Sequence, residues 1–256
     1  MKSVIITRDA HVGRLTMNRP DKRNALSPEL VAHLHQGLLE LQSDEAIRVI
    51  VLAGAGPAFC AGADLAYLQE LTNNGTMENL SDSTRLMELM RAITECPKPV
   101  IAMVHGAAIA GGCGLASVCD IVIASRENAK FGYSEVGIGF IPAIVMVFLL
   151  RKIGDVQARR LVLTAEIVNA EEAFRIGLVS VLANEDNLEN VVMATAQRIS
   201  ENSASAIALS KQMLWSLHGM SLDAGLHYAT AMNALARQTD DCKSGVRSFL
   251  ETRSSK

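Results

Sequence analysis

Two stretches rich in small residues decide how this chain is read: Ala58-Phe59-Cys60-Ala61-Gly62-Ala63-Asp64-Leu65 and Gly106-Ala107-Ala108-Ile109-Ala110-Gly111-Gly112-Cys113-Gly114. Each follows an apolar run with strand character, Val49 to Leu52 and Val100 to Val104, and each leads into a stretch compatible with helix. A strand that ends in small residues lets a ligand approach bare backbone N–H groups. Two such turns side by side would offer two donors to one oxygen, the arrangement of an oxyanion hole. An isolated Gly-Gly more often only permits close packing; the matched pair is what moves the reading toward chemistry.

Working outward, Val4–Thr7 and Arg14–Met17 predict a hairpin around Asp9-Ala10-His11. Ser27-Pro28-Glu29 is a helix start, with Ser as N-cap, Pro in the first turn and an acid at the positive end. Leu30, Leu34, Leu38 and Leu41 continue it at helical spacing. Thr72-Asn73-Asn74-Gly75-Thr76 reads as a mobile loop. A helix through Leu86, Leu89, Met90 and Ile93 ends before Cys96-Pro97-Lys98-Pro99. A short helix to Cys119 follows the Gly111 turn, then a strand Ile121–Ala124, with Asp120 at the junction. Later come a strand at Leu178–Leu182 and a helix that opens at Asn169-Ala170-Glu171-Glu172 and stops at Gly177. From Leu188 onward the pattern is helical. Strands alternating with helices imply crossover units, parallel pairing and an α/β fold.

The bulk numbers remove several classes of function. A chain of 256 residues is one large domain, or a domain with a subdomain. Its content is 49% hydrophobic but 4% aromatic, so the core is aliphatic, and the 11 Met residues fill gaps or line a flexible acyl pocket. A net charge of −3 with no basic stripe argues against a nucleic-acid partner. Five cysteines without a CxxC pair read as reduced thiols of a cytoplasmic protein. No zinc-ligand spacing occurs, and His33 and His35 face different sides of their helix, so no metal is expected. The first residues carry no targeting pattern, and the longest apolar run, Ile141 to Leu150, is too short to span a bilayer, so no membrane partner is expected.

The candidate catalytic groups are the N–H of Ala63, the N–H of Gly111 and the carboxyl of Glu135. Gly111 stands at a predicted helix start, where unpaired amides and the helix dipole favour negative charge. Glu135 lies in Phe131-Gly132-Tyr133-Ser134-Glu135-Val136-Gly137-Ile138-Gly139, with few other charges. An apolar pocket would push its pKa up and suit it to proton transfer near neutrality. Asp64 reads first as a helix cap. Lys22 and Arg23 can meet phosphates but by default form a solvated charge cluster. Arg159, Arg160, Glu171 and Glu172 read as surface, and His105 as a hydrogen-bonded core histidine. No phosphate-cradling GxxxxGK[ST] loop and no GxSxG elbow is present. Gly54-Ala55-Gly56 after a strand is a weak dinucleotide signal, because Phe59 stands where a third glycine belongs.

These landmarks together resemble the crotonase superfamily, the enoyl-CoA hydratase/isomerase proteins, over nearly the whole chain. The matching segments are Asn18-Arg19-Pro20 with Asn24-Ala25-Leu26, the Ala58–Leu65 turn, the Gly111-Gly112-Cys113 turn with Cys119-Asp120-Ile121, Phe131-Gly132 with Glu135 and Ile138-Gly139, and Ala170, Ala173 and Ile176-Gly177-Leu178-Val179. The resemblance implies a crotonase-like spiral of ββα units over residues 1–195, holding a CoA-thioester site, and a C-terminal helical trimerisation region over 196–256. It implies a homotrimer or a dimer of trimers, and an acyl-CoA substrate in which coenzyme A is part of the substrate and no separate cofactor is needed. It implies that Ala63 and Gly111 hold the thioester carbonyl and that Ala25, Ala61, Asp64 and Leu65 lie along the CoA. It places Phe249 where a neighbour's CoA is reached, with Arg253 as the basic contact because Thr252 takes the usual Lys position.

One departure from the family pattern bears on the reaction. Hydratases of this family usually carry two glutamates; Glu135 matches the second, while Gly114 stands at the position of the first. One carboxylate suffices to shuttle a proton between C2 and C4 of a bound dienolate, so the reading tilts toward double-bond isomerisation over hydration. An Asp used by dienoyl isomerases and aryl-CoA dehalogenases is replaced by Ala143, which disfavours both. The run Phe140-Ile141-Pro142-Ala143-Ile144-Val145-Met146 is bulky where hydratases commonly have glycines. The rivals are a CoA-thioester lyase (decarboxylase or retro-aldol), a non-catalytic acyl-CoA binder, and a nicotinamide oxidoreductase resting on Gly54-Ala55-Gly56 alone.

Overall fold

A computed structural model describes residues 2–254, with the side chains of Leu65 and of residues 252–254 outside the described set. Strand β1 (Val4–Asp9) pairs antiparallel with β2 (Val12–Met17). The hairpin closes at Ala10, whose φ is 47°. Ser27 caps α1 (Pro28–Ser43), its hydroxyl accepting from Leu30 N at 3.3 Å. The leucine stripe of α1 is buried, so this helix forms by burying one face and not by propensity alone.

The chain then winds so that each turn adds a strand to each of two sheets. β3 (Val49–Gly54) is followed by β4 (Ala58–Cys60), then α2 (Leu65–Leu71) and α3 (Thr76–Glu95). β5 (Val100–Val104) is followed by β6 (Ala107–Ile109) and α4 (Gly111–Val118). β7 (Ile121–Ser125) is followed by β8 (Lys130–Gly132) and α5 (Ala143–Thr164), which is kinked at Gly154 (φ 74°). Then come β9 (Ile167–Asn169), α6 (Ala170–Arg175), β10 (Val181–Ala183), α7 (Leu188–Ser200), α8 (Ala204–Leu217), α9 (Leu222–Ala236) and α10 (Asp240–Ser254). Among the described residues the larger sheet runs β1-β2-β3-β5-β7-β10, parallel except for the hairpin, and the smaller runs β4-β6-β8-β9, parallel except for its last pair.

Alternation along the larger sheet explains its two cores. Val49, Val51, Ile101 and Ile123 point to one face and pack on Leu188, Val192 and Ala196 of α7. Ile50, Leu52, Val100 and Ala102 point the other way into the main aliphatic core with α1, α3 and α4. Both faces are covered, which is why these strands read as continuous apolar runs. α5 meets α8 through Phe148 stacked on Trp215 at 5.7 Å, with the Arg151 guanidinium 5.3 Å from the Trp215 ring centre. Asp241 of α10 ties down the start of α8 by accepting from Ser203 Oγ, Ser205 N and Ser205 Oγ.

The structure corrects several expectations. Ala58–Cys60 and Ala107–Ile109 are strands and not parts of the turns, because their backbones pair side by side in the smaller sheet. The strand expected at Leu178–Leu182 lies at Val181–Ala183; the N–H groups of Leu178 and Val179 instead close the end of α6 on Ala173 O. Arg160 is not simply a surface residue: it donates to Glu172 at 2.5 Å and forms an ion pair with Glu166 at 3.0 Å in a partly buried cluster. No helix among the described residues is long and apolar enough to cross a membrane.

Candidate active site

The two small-residue turns touch because glycines remove the atoms that would keep them apart. A Cβ on Gly112 would stand 2.1 Å from Cys60 O, and one on Gly62, whose φ is 92°, would stand 2.9 Å from Ile109 O. Leu26 links the turns further. Its N–H donates to Gly62 O (2.7 Å) and its carbonyl accepts from Asp64 N (2.9 Å), a parallel bridge centred on Ala63. In such a bridge the flanking residues make the bonds, so the Ala63 N–H points away from Leu26. The Leu26 side chain also reaches the second turn, 2.9 Å from where a Cβ on Gly111 would be. Gly111 is the first residue of α4, and its N-cap, Ala110, offers no side-chain bond. Among the described residues neither the Ala63 N–H nor the Gly111 N–H has a hydrogen-bond partner. Ala110 is held at φ 52°, ψ −123°, an uncommon conformation for a residue with a Cβ, and its N–H donates to Gly132 O at 2.7 Å.

That last bond brings in the carboxylate. β6 pairs with β8 at Ile109 and Gly132, and Glu135 follows in a 3₁₀ turn closed by Gly139 (φ 76°). Glu135 is buried, and its Oε2 has no hydrogen-bond partner. Burial pushes the Glu135 carboxyl above its ordinary value of 4.5, opposed only by a hydrogen bond from its own backbone N–H. No lysine or arginine among the described residues offsets the burial.

Gly114, three residues into α4, has no room for a side chain. Its Cβ would fall 2.2 Å from Val145 Cγ1 and 3.0 Å from Met90 Cε. Val145, on the first turn of α5, is the residue of the bulky run that occupies this space. Of the carboxylates on α2 and α3, Asp82 accepts from Tyr67 Oη (2.6 Å) and Arg85 (3.2 Å), and Glu78 accepts from Gly75 N (2.8 Å).

The remaining candidates divide by position. Ala25 is buried, Ala61 and Asp64 are half-buried, and Lys22 and Arg23 are exposed beside them. The Ala61 N–H donates to Arg23 O and the Ala25 N–H to Lys22 O, and Arg19 bridges Ala25 O and the Asp64 carboxylate. Asp64 caps α2 through Ala66 N (3.2 Å) and accepts from Arg19 Nη2 (2.9 Å). Burial would raise the Asp64 carboxyl, but Arg19 and the Ala66 and Tyr67 amides outweigh it and hold the group below its usual range. Leu65 opens α2 and Arg253 lies in α10, but both side chains are outside the described residues. Phe249 is exposed on α10, which packs on α8. His105 is hydrogen-bonded as expected, its Nε2–H donating to Gly56 O at 2.8 Å, but it is half-buried and not in the core. Gly54 and Gly56 are packing positions, with Phe59 O and Pro20 where their Cβ atoms would go.

Sequence reasoning missed the brace beneath the first turn. Asn24 is fully buried at φ 55°; its Nδ2 donates to Ala55 O and Ala58 O, both at 2.8 Å, and its Oδ1 accepts from Arg19 N. Arg19 also donates to Ala25 O. The signal available was the polar cluster Asn18–Asn24 interrupting apolar sequence, but nothing local says which carbonyls it satisfies.

Known proteins resemble this chain along nearly its whole length. A family model described as Enoyl-CoA hydratase/isomerase matches residues 7–256. A Thermus thermophilus protein provisionally named an enoyl-CoA hydratase is 42% identical over 243 residues, covering 95% of this chain and 96% of that protein. A crotonyl-CoA hydratase of Syntrophomonas wolfei is 34% identical, covering 98% and 96%. Among solved structures, an enoyl-CoA hydratase of Mycobacterium smegmatis superposes with a TM-score of 0.92 at 32% identity, covering 98% of this chain and 96% of that one.

Proposed function

The chain belongs to the enoyl-CoA hydratase/isomerase family and is an enzyme of that family, and from that premise we propose that it works on an acyl-CoA thioester with one carboxylate. The Ala63 and Gly111 N–H groups bind the thioester oxygen and stabilise the enolate as its charge develops. Removing one such donor typically costs about 3 kcal/mol of barrier. Glu135 takes the proton from the acyl chain and returns it. Ala25, Ala61, Asp64 and Leu65 line the CoA, Lys22 and Arg23 flank its phosphates, and Phe249 and Arg253 serve a neighbouring subunit's CoA in a homotrimer or dimer of trimers. Residues 1–195 carry the site and 196–256 the assembly contacts. The reaction runs on these groups with coenzyme A as part of the substrate.

One observation carries the choice of reaction: Val145 closes the space beside Gly114. A single base that serves two carbons suits double-bond migration, in which Glu135 removes the C2 proton of a 3-enoyl thioester to give the dienolate and delivers that proton to C4 of the dienolate. Hydration is the second reading, favoured by the names of the relatives. Turnover of 3-enoyl-CoA and 2-enoyl-CoA, with Glu135→Gln as control, separates the two. The expected result is faster use of the 3-enoyl ester and loss of both activities in Glu135→Gln; full activity of that variant on both would remove Glu135 as the base.

A further inference from the structure

Two buried oxygens beside the proposed base lack partners, and they are chemically complementary. Tyr133 is fully buried, yet its hydroxyl makes no hydrogen bond. Glu135, two residues on, keeps Oε2 buried and unpaired. A phenol O–H needs an acceptor, and a carboxylate oxygen needs a donor. Native structures rarely leave such groups unmet without a use for them.

The surroundings narrow what that use is. The Tyr133 hydroxyl lies beside the Cys113 thiol and the Ser117 hydroxyl of α4 without reaching either in hydrogen-bonding geometry. Ser117 is committed, donating to Gly114 O at 2.8 Å. Lys152 of α5 is committed to Cys119 O at 2.7 Å. Burial pushes the Cys113 thiol up to about 12, so it is neutral and a poor acceptor. Tyr133 and Glu135 also lie within electrostatic range of each other.

We infer that Tyr133 is a positioning residue whose hydroxyl is the neutral donor that holds the Glu135 carboxylate, directly or through one shared water, when an acyl-CoA fills the site. The inference rests on Glu135 being the base. The phenol does not give up its proton, because burial raises Tyr133 well above its ordinary value. Its work is to fix the carboxylate's direction and to favour its charged form before proton transfer. Tyr133 and Cys113 are titratable groups that act electrostatically on Glu135, and the Tyr133 hydroxyl is the buried oxygen of the two side chains that lacks a partner.

The test uses the full chain with butyryl-CoA, a saturated thioester that can lose a C2 proton but has no double bond to hydrate or move. Tyr133→Phe removes one oxygen and keeps the ring. Two quantities are read: exchange of the C2 proton with D2O, and the titration of the Glu135 carboxyl by ¹³C NMR, assigned with Glu135→Gln. Tyr133→Phe is expected to raise the carboxyl midpoint by about one pH unit and to slow exchange by about tenfold at a pH below that midpoint, with half-saturation by butyryl-CoA unchanged. Should the phenylalanine variant unfold, 3-fluorotyrosine at 133, a stronger donor of nearly the same shape, is expected to lower the midpoint instead. An unmoved midpoint in the folded variant, with exchange abolished by Glu135→Gln, overturns the inference and leaves the base in place. Wild-type exchange in Glu135→Gln overturns the assignment of the base, and the inference with it.

Discussion

The two ends of helix α4 lie within one short element and are built on opposite principles. At its C-terminal end every polar group is matched. Lys152 donates to Cys119 O, Asp120 accepts from Val100 N at 2.7 Å, and the buried Lys211 donates to Asp120, Ile93 O and Lys98 O. At its N-terminal end the helix has no side-chain cap and, among the described residues, Gly111 N–H is unpaired, while the unmet oxygens of Glu135 and Tyr133 lie alongside the helix. Matched buried groups stabilise one conformation. Unmatched ones cost stability and are left open for a ligand. The contrast sets a fully paired end against the end where the proposed site lies.

The sharpest test of that contrast is at the open end. Glu135→Gln is expected to lower turnover by about 10²- to 10⁴-fold, measured by steady-state kinetics on enoyl-CoA esters. It should also raise the unfolding temperature at neutral pH. The sign follows from the raised carboxyl: the folded chain holds this proton above the ordinary value of 4.5, so ionising Glu135 at higher pH weakens the fold. The amide escapes that loss. A fall in thermal stability would break the comparison.

The closed end should respond the opposite way. Lys211→Met leaves Asp120 without its cation and is expected to cost about 3 kcal/mol of stability in urea unfolding, the low end for a buried pair because Asp120 keeps 27% exposure. Catalysis per folded molecule should hold. Next in size is Gly114→Ala, which places a methyl 2.2 Å from Val145 Cγ1 and should cost about 2 kcal/mol. Adding Val145→Ala should recover most of it, read as a non-additive double-mutant cycle. The smallest effect is at α10. Ser203 and Ser205 hold the Asp241 carboxyl down to about 2. Its contribution to docking α10 on α8 is complete above 3.8 and lost as pH falls through about 2. The fluorescence of Trp215, on α8, should report that loss in the native chain and less of it in Asp241→Asn.

Legibility in the sequence followed the range of the interactions. The Ser27 cap, the leucine stripe of α1, the hairpin, and the Asn169 start and Gly177 stop of α6 were readable because each involves residues within a turn or two of one another. The smaller sheet was not readable. Its strands are three residues long, too short for an alternation to show, and they exist only because β4, β6, β8 and β9 line up across the spiral. Glu135 stood out as a lone acid in apolar sequence. Tyr133 did not, since a tyrosine in a strand is ordinary until its hydroxyl is seen to have no partner.

Sequence alone therefore determined the hairpin, the longer parallel strands, the helix caps, the two turns of small residues and the isolated acid, because periodicity, capping and backbone freedom are local properties. Tertiary structure decided that Gly62 and Gly112 let those turns meet, that Leu26 joins them, that Val145 fills the space at Gly114, and that Asn24 braces the first turn. These are questions of which atoms share a volume, and residues far apart in the chain answer them only once the spiral has brought them together.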